Sequence, residues 1–222
     1  MQTFTTPAPI AAVLTVPAAR IEIVAADRAD TTVDVRPANA RKSRDVRAAE
    51  EITVVYADGV LRITAPEAKN QVLGSSGSVG ITVALPAGSG VEVTAAAGEV
   101  RGAGPLGDVV VESAQGPVVL DEAASARITL QDGAITIGRL ARGGELATQR
   151  GDLTVSEAVA GELALNTQKG DITVGAAHGV SAALDAGTGY GRLTNTLKND
   201  AATPGLTVAA TTAYGDIAAR SL

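Results

Sequence analysis

The sequence predicts an all-β protein: a parallel β-solenoid (β-helix) of ~18-residue coils over residues 97–222, behind an N-terminal β-strand capping region over residues 1–96, the two forming one continuous unit. Three observations predict it. A glycine followed by a short alternating strand recurs at nearly constant spacing. Aromatic residues make up 2% of the chain against 45% hydrophobic residues, so Val, Ile, Leu, Ala and Thr must fill the interior, which suits thin regular layers. The 25 glycines fit a chain that turns often and tightly.

Along the chain, Ile10 to Val16 is a short apolar run between Pro7, Pro9 and Pro17, and reads as a first strand rather than a signal peptide. Ile21-Glu22-Ile23-Val24 and Val33-Asp34-Val35 alternate as half-buried strands do. Residues 41–51 alone look helical. Their cluster of Arg41, Lys42, Arg44 and Arg47 is interleaved with Asp45 and reads as a solvated segment, not a nucleic-acid patch. Ile52–Tyr56 and Val60–Thr64 flank Asp58-Gly59, a hairpin turn. The segment 74–78 is a plain flexible connection. Ile81–Leu85 ends at Pro86 and leads through Gly88 and Gly90 to Val91-Glu92-Val93.

From residue 97 the period takes over. Gly98, Gly116, Gly133, Gly151, Gly170, Gly191 and Gly215 stand 18, 17, 18, 19, 21 and 24 residues apart, each opening a strand. A second short strand lies between successive copies: Val109–Val111, Ile128–Leu130, Leu146–Thr148, Leu163–Leu165, Ala182–Leu184 and Leu206–Val208. Two strands and two turns make one flattened coil, and stacked coils bury what a single coil cannot. Ile135, Leu153 and Ile172 are expected to stack inward, with Ile137, Val155 and Val174, leaving Thr136, Thr154 and Thr173 as an outward ladder. A meander of antiparallel hairpins is the rival, but it gives no reason for one register to recur.

At these residues the chain resembles a known family. Asp58–Ile63, Gly77-Ser78-Val79, the Leu85-Pro86-Ala87-Gly88 turn and the repeating Gly-Asp-Ile/Leu-Thr-Val units are similar to the DUF4097 β-strand-repeat proteins, some of which carry the label of adhesins. The Ala- and Arg-rich composition resembles actinobacterial members. The resemblance implies a β-helical fold, no agreed catalytic residues, and relatives that are secreted or membrane-tethered.

Chemistry is sparse. Net charge is −6, which argues against a nucleic-acid partner, and there is no cysteine for a disulfide, a thiolate metal site or a lipid anchor. No run approaches the ~20 apolar residues that span a bilayer. With the first charge at Arg20 and no basic leader, the chain is expected to stay cytoplasmic. Gly102–Gly107 spells GxGxxG but precedes a strand, so it reads as a turn. Arg150-Gly151-Asp152 recurs one coil later as Lys169-Gly170-Asp171, so it too belongs to the repeat rather than to an adhesive motif. Asp152 and Asp171 read as turn-capping carboxylates rather than calcium ligands, with Arg192 interrupting the column before Asp216. His178, the single histidine, sits in a turn with no nucleophile elbow to serve. Paired carboxylates beside basic or aromatic subsites, as a β-helical lyase or hydrolase needs, do not stand out.

Tyr190 and Tyr214 occur in matching contexts, Thr-Gly-Tyr-Gly and Thr-Ala-Tyr-Gly, and are expected to stack, either as a ligand or partner surface or simply as a shield over a widened turn. The chain stops a few residues into a strand, with no capping helix: either the insertion 194–205, rich in Asn and Lys, folds over that end, or the C-terminal coil self-associates with Ile217 and Leu222 buried. The expected function is a non-catalytic scaffold for assembly or docking, with no cofactor. A carbohydrate- or surface-binding module of the adhesin type is the alternative.

Overall fold

The computed structural model describes residues 1–66, 77–201 and 203–222; residues 74–76 of the expected flexible connection lie outside them. Strand takes up 69% of the described residues and helix 4%. The first elements are β1 (Gln2–Thr5), β2 (Ala11–Ala26), β3 (Asp30–Pro37), helix α1 (Ser43–Glu50), β4 (Thr53–Ala57) and β5 (Val60–Thr64). Next come β6 (Val79–Pro86), β7 (Gly90–Ala97), β8 (Val100–Gln115), β9 (Val118–Asp132), β10 (Ile135–Leu140) and β11 (Gly143–Arg150). The last are β12 (Leu153–Ala158), β13 (Gly161–Lys169), β14 (Ile172–Ala176), β15 (Ala182–Tyr190), β16 (Leu193–Thr196), β17 (Leu206–Tyr214) and β18 (Ile217–Ser221).

These strands stack in two columns of parallel neighbours. One column runs β5, the first arm of β2, β7, the second arms of β8 and β9, then β11, β13, β17 and β15. The other runs β6, the second arm of β2, the first arms of β8 and β9, then β10, β12, β14, β18 and β16. Strands β2, β8 and β9 pass from one column to the other, so the whole is one 18-stranded sheet wound into a solenoid. Every pairing within the stack is parallel, which excludes the meander. Among the described residues, antiparallel pairing is confined to β1–β3, β3–β6 and the β4–β5 hairpin.

Stack order departs from chain order at both ends. The coil of residues 11–26 lies between the coil built from β5 and β6 and the coil built from β7 and β8. At the other end the last coil in the chain, β17 with β18, is inserted between β13–β14 and β15–β16. The coil of residues 11–26 and the last coil of the chain are therefore interior in space. Part of the region 1–96 thus belongs to the coil stack, while β1, β3, β4 and α1 sit beyond it.

The core follows the expected inward ladder. Val118, Ile135, Leu153, Ile172 and Ile217 stack in register and are buried; Leu193, the last of the same column, is 45% exposed. Ile137, Val155 and Val174 form the parallel inner column, and Thr136, Thr154 and Thr173 face outward between them. Each buried aliphatic side chain contributes about 1.5–3 kcal/mol of transfer free energy.

Coil order takes Ile217 away from the end of the rod, where self-association through the C-terminal coil would need it. Ile217 is 1% exposed, held between Ile172 and Leu193, and cannot meet a second copy at an open end. Leu222 donates its backbone N–H to the Ala176 carbonyl and packs beside Gly175, away from the end coil. The end coil is β15–β16. The segment after it is fastened to the rod, with Ala182 donating to the Lys198 carbonyl, Lys198 to Ser221 Oγ, and Ala201 to Ser181 Oγ.

Candidate functional site

One edge of the rod is built by the turn that the glycines open. Gly116, Gly133, Gly151, Gly170 and Gly215 have φ between 122° and 154°, open to glycine and strained for any other residue. Steric demand is stronger still: a Cβ at Gly170 would lie 2.1 Å from the Gly151 carbonyl oxygen, and one at Gly215 would lie 2.0 Å from that of Gly170. Each turn rests directly on the backbone of the turn beneath it, and a Cβ at Gly191 would fall 1.9 Å from the Gly215 oxygen, completing the order 170, 215, 191.

Two hydrogen-bond ladders hold this edge. Asp152 Oδ1 accepts from the Asp171 N–H at 2.8 Å, Asp171 Oδ1 from Asp216 at 2.7 Å, and Asp216 Oδ1 from Arg192 at 2.7 Å. The aspartates are turn caps, as expected. Their column is unbroken, however: Arg192 follows Asp216 in space instead of interrupting it. Inside the turn, Thr148, Thr167, Thr212 and Thr188 donate to the carbonyls of Gly133, Gly151, Gly170 and Gly215 at 2.9–3.2 Å. Sequence reasoning missed this buried ladder. The signal was present, since each threonine stands three residues before its own coil's glycine: 148 and 151, 167 and 170, 188 and 191, 212 and 215.

Outside the turn, register brings Asp132, Arg150, Lys169, Tyr214 and Tyr190 into one exposed column, one residue per coil. Tyr190 and Tyr214 stack as expected, ring centroids 5.1 Å apart and planes within 4°. They are 71% and 58% exposed. Arg150 donates to Asp132 at 2.8 Å, so the Arg-Gly-Asp triplet is spent on neighbouring coils. Gln131, Gln149 and Gln168 run alongside and line a shallow groove of about 410 Å³ with Gln115. The other motifs sit elsewhere. His178 is an exposed turn residue, and Gly104 bends β8 at φ 78° with its turn against the Ala25 carbonyl, so GxGxxG is a corner between columns. Among the described residues no three His, Cys, Asp or Glu side chains group as a metal site, and no helix is long and apolar enough to cross a membrane.

A family model for Toastrack DUF4097 matches residues 12–221, nearly the whole chain. The chain belongs to that family. The match begins within β2 and ends within β18, so the Toastrack model takes in both intercalated coils. Among solved structures, one from Bacteroides fragilis named "putative adhesin" is 14% identical with a TM-score of 0.53, covering 98% of this chain and 95% of that one. A "putative lipid binding protein" from Parabacteroides distasonis is 13% identical with a TM-score of 0.48, covering 98% and 95%. At 14% identity the likeness to the Bacteroides fragilis structure is one of fold. No curated protein matches the chain.

Proposed function

We propose that this Toastrack protein is a non-catalytic interaction module of the adhesin type, a rigid rod that docks its partner along the turn-lined edge. The observation that carries the reading is where the aromatic residues go. The chain has one Phe, three Tyr and no Trp, and Tyr190 and Tyr214 stand stacked in solvent instead of filling the core. Exposed rings that are costly to hydrate mark contact surfaces. Rigidity comes from the same edge, because the threonine and aspartate ladders fix successive turns and hold the exposed column in register, which limits the entropy lost on docking. Those ladders also engage the edge carboxylates with backbone N–H groups, a structural occupation rather than a catalytic one. The name borne by the Bacteroides fragilis structure supports the adhesin side of the reading.

The test is a comparison of baits. Wild type and a Tyr190→Ala/Tyr214→Ala variant are immobilised and exposed to lysate and to cell-surface extract. A partner held by wild type and lost by the variant is the expected result. A partner held equally by both would place the contact elsewhere on the rod.

A further inference from the structure

The exposed column has a chemical character that narrows its ligand, an inference that rests on the interaction reading above. Gln131, Gln149 and Gln168 supply amides that both donate and accept, at one coil spacing of about 4.8 Å each. On the next two coils the equivalent positions are Ala213 and Gly189, beside Tyr214 and Tyr190. Gly189 must be bare, since a Cβ there would lie 2.8 Å from the Ala213 carbonyl oxygen. Along this edge the amide row thus gives way to small residues at the same positions, with the stacked tyrosines next to them in sequence.

The two rings are stacked along the rod, so Tyr214 covers one face of Tyr190. Among the described residues its other face has no coil beyond it, because β15 pairs there only with β17. That face is a flat apolar platform at the end of a row of hydrogen-bonding groups. Charge decides the rest. Around this edge Arg150, Lys169 and Arg192 face Asp132, Asp152, Asp171 and Asp216, and Arg150 is already paired with Asp132. Three cations against four carboxylates give an anionic chain no net attraction.

We propose that this edge binds a neutral, linear glycan, its hydroxyls bridging Gln131, Gln149 and Gln168 and one sugar ring packing its apolar face on Tyr190. Hydroxyl groups need partners that donate and accept at a regular interval, which the glutamine row provides. The carbon-bound hydrogens of a pyranose face suit an open aromatic ring.

The experiment is titration calorimetry of the full chain with short and long neutral β-linked gluco-oligosaccharides, and with oligogalacturonate as the acidic counterpart. Expected is binding of the neutral series that tightens with chain length, weakens roughly tenfold in Tyr190→Ala and in Gln149→Ala/Gln168→Ala, and survives in Tyr190→Phe. All of these positions are exposed, and unchanged melting curves will confirm that the variants fold. Binding left intact by both sets of variants overturns the site. Binding of oligogalacturonate alone, lost in Lys169→Ala, overturns the ligand class. If no glycan binds while the Tyr190→Ala/Tyr214→Ala bait still loses a protein partner, the glycan inference fails and the interaction reading stands.

Discussion

The two ends of the rod meet the same problem, a terminal coil with an unpaired strand edge and a thinning core, and answer it differently. At the N-terminal end the coil made by β5 and β6 is covered by a reversal of strand direction: β4 pairs antiparallel with β5, and β3 with β6, then β1 with β3. Helix α1 packs on β3 and β6, and Asp45 fixes it by accepting the Ser78 N–H at 3.0 Å. Phe4 and Tyr56, the remaining aromatics, meet there at 5.5 Å. Arg28 clasps Asp30 through two bonds of 3.0 Å, and that hydrogen bonding holds the Asp30 carboxyl below its ordinary range. At the C-terminal end nothing reverses among the described residues. The rod tapers instead: the inner column Ile128, Leu146, Leu165 shrinks to Ala210 and then Ala186, and β16 is Leu193-Thr194-Asn195-Thr196, all exposed. One end is covered by reversed strands, the other tapers by composition, and the tapering one carries Tyr190 and Tyr214. The C-terminal strand β18 is kept from fraying because its coil is intercalated one layer inside the stack.

This contrast can be broken by substitution. The largest effect is expected for Ile217→Asp, which buries an unpaired carboxylate between Ile172 and Leu193 and should cost at least about 3 kcal/mol in a urea melt. Leu193→Asp, one coil further out in the same column, should cost less than about 1 kcal/mol. Equal costs, or the reverse order, would mean that the end coil has been misassigned. Next in size is Gly170→Val, expected to lose more than about 2 kcal/mol because its Cβ meets the Gly151 backbone at a φ that valine avoids. Gly187→Ala on the end coil has open space around it and should stay within about 0.5 kcal/mol. The smallest is Thr212→Val, nearly isosteric, which removes one rung to the Gly170 carbonyl and should cost about 1 kcal/mol by thermal melt. A neutral result there would show that the inner threonine ladder adds register but no stability.

Much of this was legible in the sequence. The glycine period gave the coil, the alternation of Ile135, Thr136 and Ile137 gave inside and outside, and the matched contexts of Tyr190 and Tyr214 gave their stacking. What periodicity could not give is which coil neighbours which. Every coil carries the same glycine, the same inward pair and the same turn, so chain order and the observed order satisfy one pattern equally well. Weaker signals did point to the exchange. Spacings lengthen to 21 and 24 residues where the chain detours, and Gly215-Asp216-Ile217 matches Gly170-Asp171-Ile172 better than Gly191-Arg192-Leu193 does. The polar Thr194-Asn195-Thr196 also suits an end better than Ala218-Ala219 does. Taking the chain terminus for the rod terminus was the assumption that misplaced Ile217 and Leu222. At the other end, some 50 residues separate β2 from the β6 strand that it joins, too far for local pattern to connect.

Coil order is the claim on which both the tapering end and the exposed column depend, and paired cysteines test it most directly. The chain has no native cysteine. In the observed stack Thr173 faces Ala218, and Ala218 faces Thr194, all on the outward ladder. Under mild oxidation Thr173→Cys/Ala218→Cys should form an intramolecular disulfide, since neighbouring strands lie about 4.8 Å apart. Thr173→Cys/Thr194→Cys, two spacings and about 9.6 Å apart, should stay reduced. A disulfide in the second variant and none in the first would restore chain order and contradict the account.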